Sequence, residues 1–240
     1  QEPQQQGSAD ALSHYPQGTN INSFNGTWYI TGATKNAWDV YQTLSQRFNI
    51  QIDCAQFDVN TTSNSTLDVL SSAFLNQTTL NLGINATVAG SLILQNPDSQ
   101  TNVSNHELLW EAYTSQVFVN KGLWDKFTQK DQSNANNNNA TTGATPLPGT
   151  KPVEATIYTQ LIDTNAQPGT NTSTNFDAIF IWGSHAKTLG DDHNDIYGVL
   201  LTKNATISPD VFNRTAGLLP QRAVSNNAQL VQLNDTCTVR

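Results

Sequence analysis

The stretch YGVLLTKNATISPDVFNRTAGLL, residues 197–219, decides the fold. Its first part completes a strand-like segment running from Asp195 to Lys203, and its second carries helix punctuation. Ser208 suits an N-cap, Pro209 fits the first helical position, Asp210 favours the positive end and Gly217 can terminate the helix. One last short strand, Ala228–Leu233, follows. A chain that ends in strand, helix and strand, after a long series of strands, has few architectures open to it.

The preceding strands read upstream as Phe176–Trp182, Val153–Ile162, Gln116–Val119 and Leu108–Tyr113. Thr79–Val88 alternates, with Leu80, Leu82, Ile84, Ala86 and Val88 sharing an inward face and Asn81, Gly83, Asn85 and Thr87 an outward one. Thr66–Leu70 alternates about Leu67 and Val69. Ile50–Asn60 is extended, but its apolar phase shifts between Cys54 and Phe57, which predicts a bulge. Thr27–Gly32 places Trp28 and Ile30 on one face and Tyr29 and Thr31 on the other. Asn36–Ser45 suits a short helix between the first two strands. Eight or nine strands with one late helix fit an up-and-down barrel or a sandwich, and a barrel of about eight strands has room for one small ligand.

Residues 1–20 are Gln-rich and without either periodicity, so a flexible N-terminal arm is expected. Residues 21–240 are read as one barrel domain. Within it, a polar low-complexity loop insert is expected at about 131–152.

Charged residues make up only 12% of the 240 residues, and the net charge is −8. The 11 basic residues are scattered, so no nucleic-acid partner is expected. The most apolar stretch, DAIFIW at 177–182, is strand-sized, and no transmembrane segment is expected. The chain starts at Gln1 and holds no methionine, which suggests a mature form released from its signal peptide, hence a secreted protein. Asn-X-Ser/Thr triplets stand at Asn25, Asn60, Asn64, Asn76, Asn85 and Asn102, and again at Asn139, Asn171, Asn204, Asn213 and Asn234. So many acceptors favour a glycoprotein whose used sites face water. Cys54 and Cys237 are the two cysteines. In an oxidising compartment one disulfide is the simplest expectation, worth roughly 5 kcal/mol for so long a loop, with two buried thiols as the alternative.

Taken together, the chain resembles a lipocalin, one of the secreted eight-stranded barrels that carry hydrophobic small molecules. Gly26-Thr27-Trp28 is similar to the Gly-X-Trp of the family's first strand. RFNIQIDCAQFDVN and LNDTCTVR look like the cysteine tether of the apolipoprotein D and bilin-binding branch. Residues 197–219 resemble the last barrel strand, its basic residue and the C-terminal helix. The resemblance implies an all-β fold: an eight-stranded antiparallel up-and-down barrel with a short C-terminal α-helix and a final short strand. It also implies that Lys203 packs across Trp28 and closes one end, with Gly26 letting the chain pass close beneath the barrel. The family's Thr-Asp-Tyr motif has no clean copy; Asp163-Thr164 and Asn175-Phe176-Asp177 each match in part.

For chemistry, His185 and His193 sit near Asp191, Asp192 and Asp195, but the spacing matches no zinc pattern, and neither these nor His14 and His106 are expected to hold a metal. No Gly-X-Ser-X-Gly elbow or phosphate loop occurs. The faces read as inward are mostly aliphatic and aromatic, so no catalytic residue and no covalent cofactor is expected. A non-covalent lipophilic ligand is expected instead: a fatty acid, sterol, carotenoid or tetrapyrrole. Leu67, Val69, Leu80, Leu82, Ile84 and Ile157 are expected to line its cavity, with Trp110, Phe118, Phe180 and Trp182 as aromatic contacts. Trp38 and Tyr41 belong to the segment that commonly lids the cavity in the family. Two alternatives stay open: an isomerase or de-epoxidase acting on a lipid or carotenoid, and a storage glycoprotein with a filled interior. The oligomeric state leaves no sequence signal.

Overall fold

A computed structural model describes residues 11–120, 144–146, 154–166, 175–183, 196–220 and 229–233. In chain order the elements are β1 (Gly26–Thr34), α1 (Lys35–Phe48), β2 (Ile50–Ser63), β3 (Thr66–Gln77), β4 (Leu82–Leu94), β5 (Glu107–Asn120), β6 (Ala144–Pro146), β7 (Glu154–Ile162), β8 (Ala178–Gly183), β9 (Tyr197–Thr202), α2 (Pro209–Ala216) and β10 (Leu230–Gln232). Each of β1, β2, β3, β4, β5, β7, β8 and β9 pairs antiparallel with the next, and β9 pairs back onto β1. The ring is therefore closed, an eight-stranded up-and-down barrel of lipocalin type, with β6 added to β5 and β10 to the mouth end of β1.

The bulge in β2 stands where the apolar phase breaks. Its pairing with β3 shifts between Asp53 and Gln56, and Cys54 takes a φ of 51°. Cys54 is not a free thiol; Cys237 lies outside the described residues. β3 runs seven residues beyond the expected Leu70. The small polar Ser71 and Ser72 there dilute the alternation that marks a strand. α1 is likewise longer than expected, at 14 residues, and ends on Asn49 in the left-handed region.

The N-terminal arm expected over residues 1–20 needs correcting from residue 11 onward, and residues 1–10 lie outside the described residues. Residues 11–14 and 21–24 are 3₁₀ turns, and Ala11, Tyr15, Ile21 and Phe24 are buried in the main core with Trp28 and Trp110. The Tyr15 hydroxyl donates to Gln95 O at 2.8 Å and accepts from Leu109 N at 3.0 Å. This segment lacks periodicity because it plugs the barrel end as turns. Of the insert expected at about 131–152, Ala144–Pro146 pairs with Phe118–Asn120 as β6, and its other residues lie outside the described residues.

The closed end is finished by Trp28, fully buried, whose indole N–H donates to Phe24 O at 2.8 Å. Lys203 Nζ lies 5.3 Å from the Trp28 ring centroid. The two fragments that each half-match the missing motif meet beside it. The Asp177 carboxylate accepts from both the backbone N–H and the hydroxyl of Thr164, and Asp177 O accepts from Lys203 N. Gly26 needs a different reason from the expected close approach. A Cβ there would meet nothing within 4 Å, but its φ of +126° is one that side chains rarely adopt.

α2 begins as its sequence dictates, with Ser208 Oγ accepting from Val211 N and Pro209 at the start. It lies outside the barrel. Phe212 and Leu219 cover Ile162, Ala178, Phe180, Trp182 and Leu200, the outward residues of β7–β9, and form a second core.

Candidate functional site

The barrel interior holds a cavity of about 200 Å³. Leu67, Val69, Val88, Ile157, Ile181 and Leu201 supply its apolar wall, Ser71, Thr114 and Thr159 its hydroxyls, and Phe24, Trp28 and Phe57 its lower boundary. No acidic or basic side chain lines it among the described residues. Pairing explains the set: Leu67 faces Leu92, Val69 faces Gly90 and Ser71 faces Val88, so odd positions of β3 and even positions of β4 point inward. Thr159 is buried and takes the Trp110 indole N–H at 2.8 Å, so both polar groups are satisfied.

A second hollow of about 320 Å³ lies at the mouth, between α1, the upper part of β1 and the first half of β2. Ile30, Ala33, Val199, Ala55 and Leu233 give it apolar walls, with Gln51 and Asp53 as polar lining. Trp38 and Tyr41 close it from α1, their rings stacked 5.2 Å apart at 29°. Polar contacts fasten that helix: Asn36 Nδ2 donates to Ile196 O at 2.9 Å, Ser45 Oγ to Ile50 O at 2.6 Å, and Ile52 N to the Tyr41 hydroxyl at 2.9 Å. No residue of α1 is fully buried. A third hollow, about 470 Å³, is a groove outside the sheet, among Asp58, Asp68, Leu70, Ser91 and Ser115, where the β4–β5 bulge opens the strands.

The expected ligand contacts divide accordingly. Leu67, Val69 and Ile157 line the interior cavity, and Trp38 and Tyr41 the mouth hollow. Leu82 and Ile84 share the inward register of Val88 nearer the mouth, beyond the cavity lining. Leu80 does not belong: it stands in the β3–β4 turn, 59% exposed. Phe180 and Trp182 do not either; they face outward and stack on each other at 5.4 Å, and Trp182 stacks on Tyr158 at 5.5 Å. Both faces of β8 are buried, one by the barrel and one by α2, so hydrophobicity could not choose between them. Trp110 points inward but packs edge-on against Phe24 at the closed end, below the cavity. Phe118 pairs with Thr87, and its side chain lies outside the described residues.

Asn60, Asn64, Asn85, Asn102, Asn204 and Asn213 are exposed. Asn76 is half-buried, as is Asn25, whose side-chain oxygen accepts from Thr61 N and Thr61 Oγ1, each at 2.7 Å. Asn139, Asn171 and Asn234 lie outside the described residues, as do His185, His193, Asp191, Asp192 and Asp195. His106 packs against Phe176 at 4.9 Å, and among the described residues no three metal-binding side chains gather.

Among the described residues two titrating groups are shifted, both toward the closed end. Burial pushes the Tyr15 hydroxyl up to about 12, against the bond from Leu109 and with help from Asp98. Burial also raises Asp98, but hydrogen bonds from Tyr158, Thr101 and Gln100 outweigh it and hold the carboxyl below its ordinary range. Neither group lines the cavity. No described helix is long and apolar enough to cross a membrane.

No family model and no curated protein matches the chain. The solved structures similar to it include the following two. A "biogenic amine-binding protein" is 10% identical with a TM-score of 0.42, over 90% of this chain and 82% of that one. The tryptamine complex of the amine-binding protein of Rhodnius prolixus is 11% identical with a TM-score of 0.42, over 89% and 80%. At that distance the fold rests on the chain's own geometry: eight antiparallel strands in sequence order, closed by β1 on β9, with an indole and a lysine at the sealed end.

Proposed function

We propose that this chain is a secreted glycoprotein that binds one small hydrophobic molecule in its barrel and carries or stores it without chemical change. The observation that carries the reading is the interior cavity: sealed below by Phe24 and Trp28, walled by aliphatic side chains, and free of acidic or basic lining among the described residues. Such a space gains about 25 cal/mol for each Å² of apolar ligand surface it removes from water, before ordering costs.

Size narrows the ligand. A cavity of about 200 Å³ falls below the 300–1,000 Å³ usual for drug-sized ligands, whereas the mouth hollow of about 320 Å³ falls within it. A sterol or tetrapyrrole would have to occupy the mouth as well. A compact apolar group or single acyl chain fits the interior, with a flatter portion against Trp38 and Tyr41. A Cys54–Cys237 disulfide, bringing the C-terminal segment to the β2 bulge beside that hollow, belongs to the same reading.

The test is a solvent extract of the protein from its native source, analysed by mass spectrometry, beside titration of the emptied protein with a fluorescent fatty-acid probe. A stoichiometric lipophilic compound, or saturable one-to-one probe binding, is expected. An empty extract together with no probe binding would overturn the proposal, and consumption of an added lipid would make the protein an enzyme.

A further inference from the structure

Among the described residues the large apolar side chains left in solvent are Leu44, Phe48, Ile52, Leu70 and Leu80. All but Leu70 belong to the open end of the barrel. Leu44 and Phe48 share one face of the last turns of α1, at i and i+4. Ile52 follows near the start of β2, and Leu80 stands in the β3–β4 turn. Hydrogen bonds hold the helix end and the turn together: Gln77 Nε2 donates to Phe48 O at 3.3 Å, Thr78 N to Asn49 O at 2.9 Å, and Leu80 N to Gln77 Oε1 at 2.6 Å. A lone exposed leucine needs no explanation, but apolar side chains gathered at one rim, with Phe48 54% and Leu80 59% exposed, mark a contact surface.

Charge is just as uneven there. In a chain of net charge −8, residues 69–97 hold no charged side chain, and residues 40–52 hold one, Arg47. Its guanidinium carbon lies 5.8 Å from the centre of the Phe48 ring, so the cation rides beside the exposed aromatic. The acidic groups that flank α1 and β2 here are Asp39, paired with Lys35 at the far end of the helix, and Asp53, half-buried in the lining of the mouth hollow. Ile52 lines that hollow too, so the apolar rim continues into the entrance.

We infer that this rim, Leu44, Phe48 and Leu80 with Arg47, docks on a phospholipid surface. A helix end and a turn suit the headgroup layer: their apolar tips reach the acyl boundary while the guanidinium stays with the phosphates. An acidic chain is repelled by an anionic bilayer, so a rim with one cation and no exposed carboxylate also selects which end approaches. A protein partner or a second copy fits less well. Four side chains about half exposed present on the order of a few hundred Å², against roughly 800 Å² a side in a stable protein interface. Docked in this way, the barrel mouth faces the membrane from which a lipophilic ligand leaves. That purpose rests on the carrier reading above; the contact itself does not.

The test floats the full chain, made in a eukaryotic secretory host, with vesicles of phosphatidylcholine alone and of an equal mixture of phosphatidylcholine and phosphatidylserine. The parent should float with both, and more strongly with the mixture. A chain carrying both Phe48→Ser and Leu80→Ser should partition about tenfold more weakly on both, and Arg47→Gln about fivefold more weakly on the mixture alone. Phe48→Trp should float like the parent and add emission that bromine-labelled acyl chains quench. Should the double variant fail to fold, Arg47→Gln and Phe48→Trp still decide. A parent that stays in solution, a folded double variant that floats like the parent, Arg47→Gln unchanged on the mixture, or a Phe48→Trp indole that brominated chains leave unquenched would each overturn the proposal. So would vesicle-free sedimentation in which the parent pairs with itself and the double variant does not, which would give the rim to a second copy. Titration with the fluorescent fatty-acid probe, without vesicles, keeps the two readings apart: the double variant should bind it as the parent does, and a parent that floats without binding it keeps the docking surface and loses the carrier reading.

Discussion

Replacing Tyr15 by Phe removes one oxygen from a residue only 6% exposed and leaves its ring in place. That oxygen satisfies two backbone groups about 80 and 94 residues away, the carbonyl of Gln95 and the N–H of Leu109. An unsatisfied buried N–H costs about 1–3 kcal/mol, and the carbonyl adds less, so a loss of about 2 kcal/mol is expected at pH 7. For a chain of this size that corresponds to roughly 4–8 °C in Tm. The same hydroxyl makes a pH prediction. Its pKa is about 12 folded against about 10 unfolded, so its contribution is fully present below pH 10 and is lost as pH rises toward 12. After allowance for partial solvent screening this is on the order of 1–2 kcal/mol. Urea melts of both proteins from pH 7 to 12 measure both effects, and Tyr15→Phe should show the shallower alkaline decline. A variant within 0.5 kcal/mol of the parent at pH 7, or one with an unchanged alkaline decline, would refute the claim that the N-terminal turns belong to the core.

Two further outcomes follow from particular contacts. Lys203→Ala should cost about 0.5–1 kcal/mol in chemical melts, the value of a cation over an indole at an exposed site, whereas Lys203→Arg should match or exceed the parent because guanidinium stacks better. Gly198→Ala should cost about 1–3 kcal/mol, because the new Cβ would stand 2.6 Å from Phe180 Cζ and 3.0 Å from Ile181 O beneath α2, in the outer core and away from the ligand cavity.

The closed barrel was legible in the sequence where one face of a strand is wet. Leu67 and Val69 alternate with Asp68 and Leu70, and the inward set lines the cavity. The β2 bulge was legible too, because an extra residue moves every later side chain to the other face, and the apolar phase records that. Where both faces are dry, as on β8, alternation disappears, and Phe180 and Trp182 read equally well as cavity or as outer packing. Leu80 failed for another reason: the turn at 78–81 separates it from the strand whose periodicity it continues. The turns holding Ala11 and Tyr15 have no period to read, and only the tyrosine's aromatic bulk hints at burial. The mouth hollow depends on how α1 settles against β1 and β2, which local pattern does not encode.

The central claim is that a ligand sits inside the barrel, and a cavity-filling pair tests it most directly. Val69→Phe places a ring into the interior cavity; Phe180→Leu trims the outer core at similar or greater cost in stability. Titrated with the same fluorescent fatty-acid probe, Val69→Phe should bind at least tenfold more weakly, about 1.4 kcal/mol, while Phe180→Leu keeps the parent affinity. Parent-like binding by a folded Val69→Phe, or weakening by Phe180→Leu alone, would place the ligand outside the barrel and contradict the account.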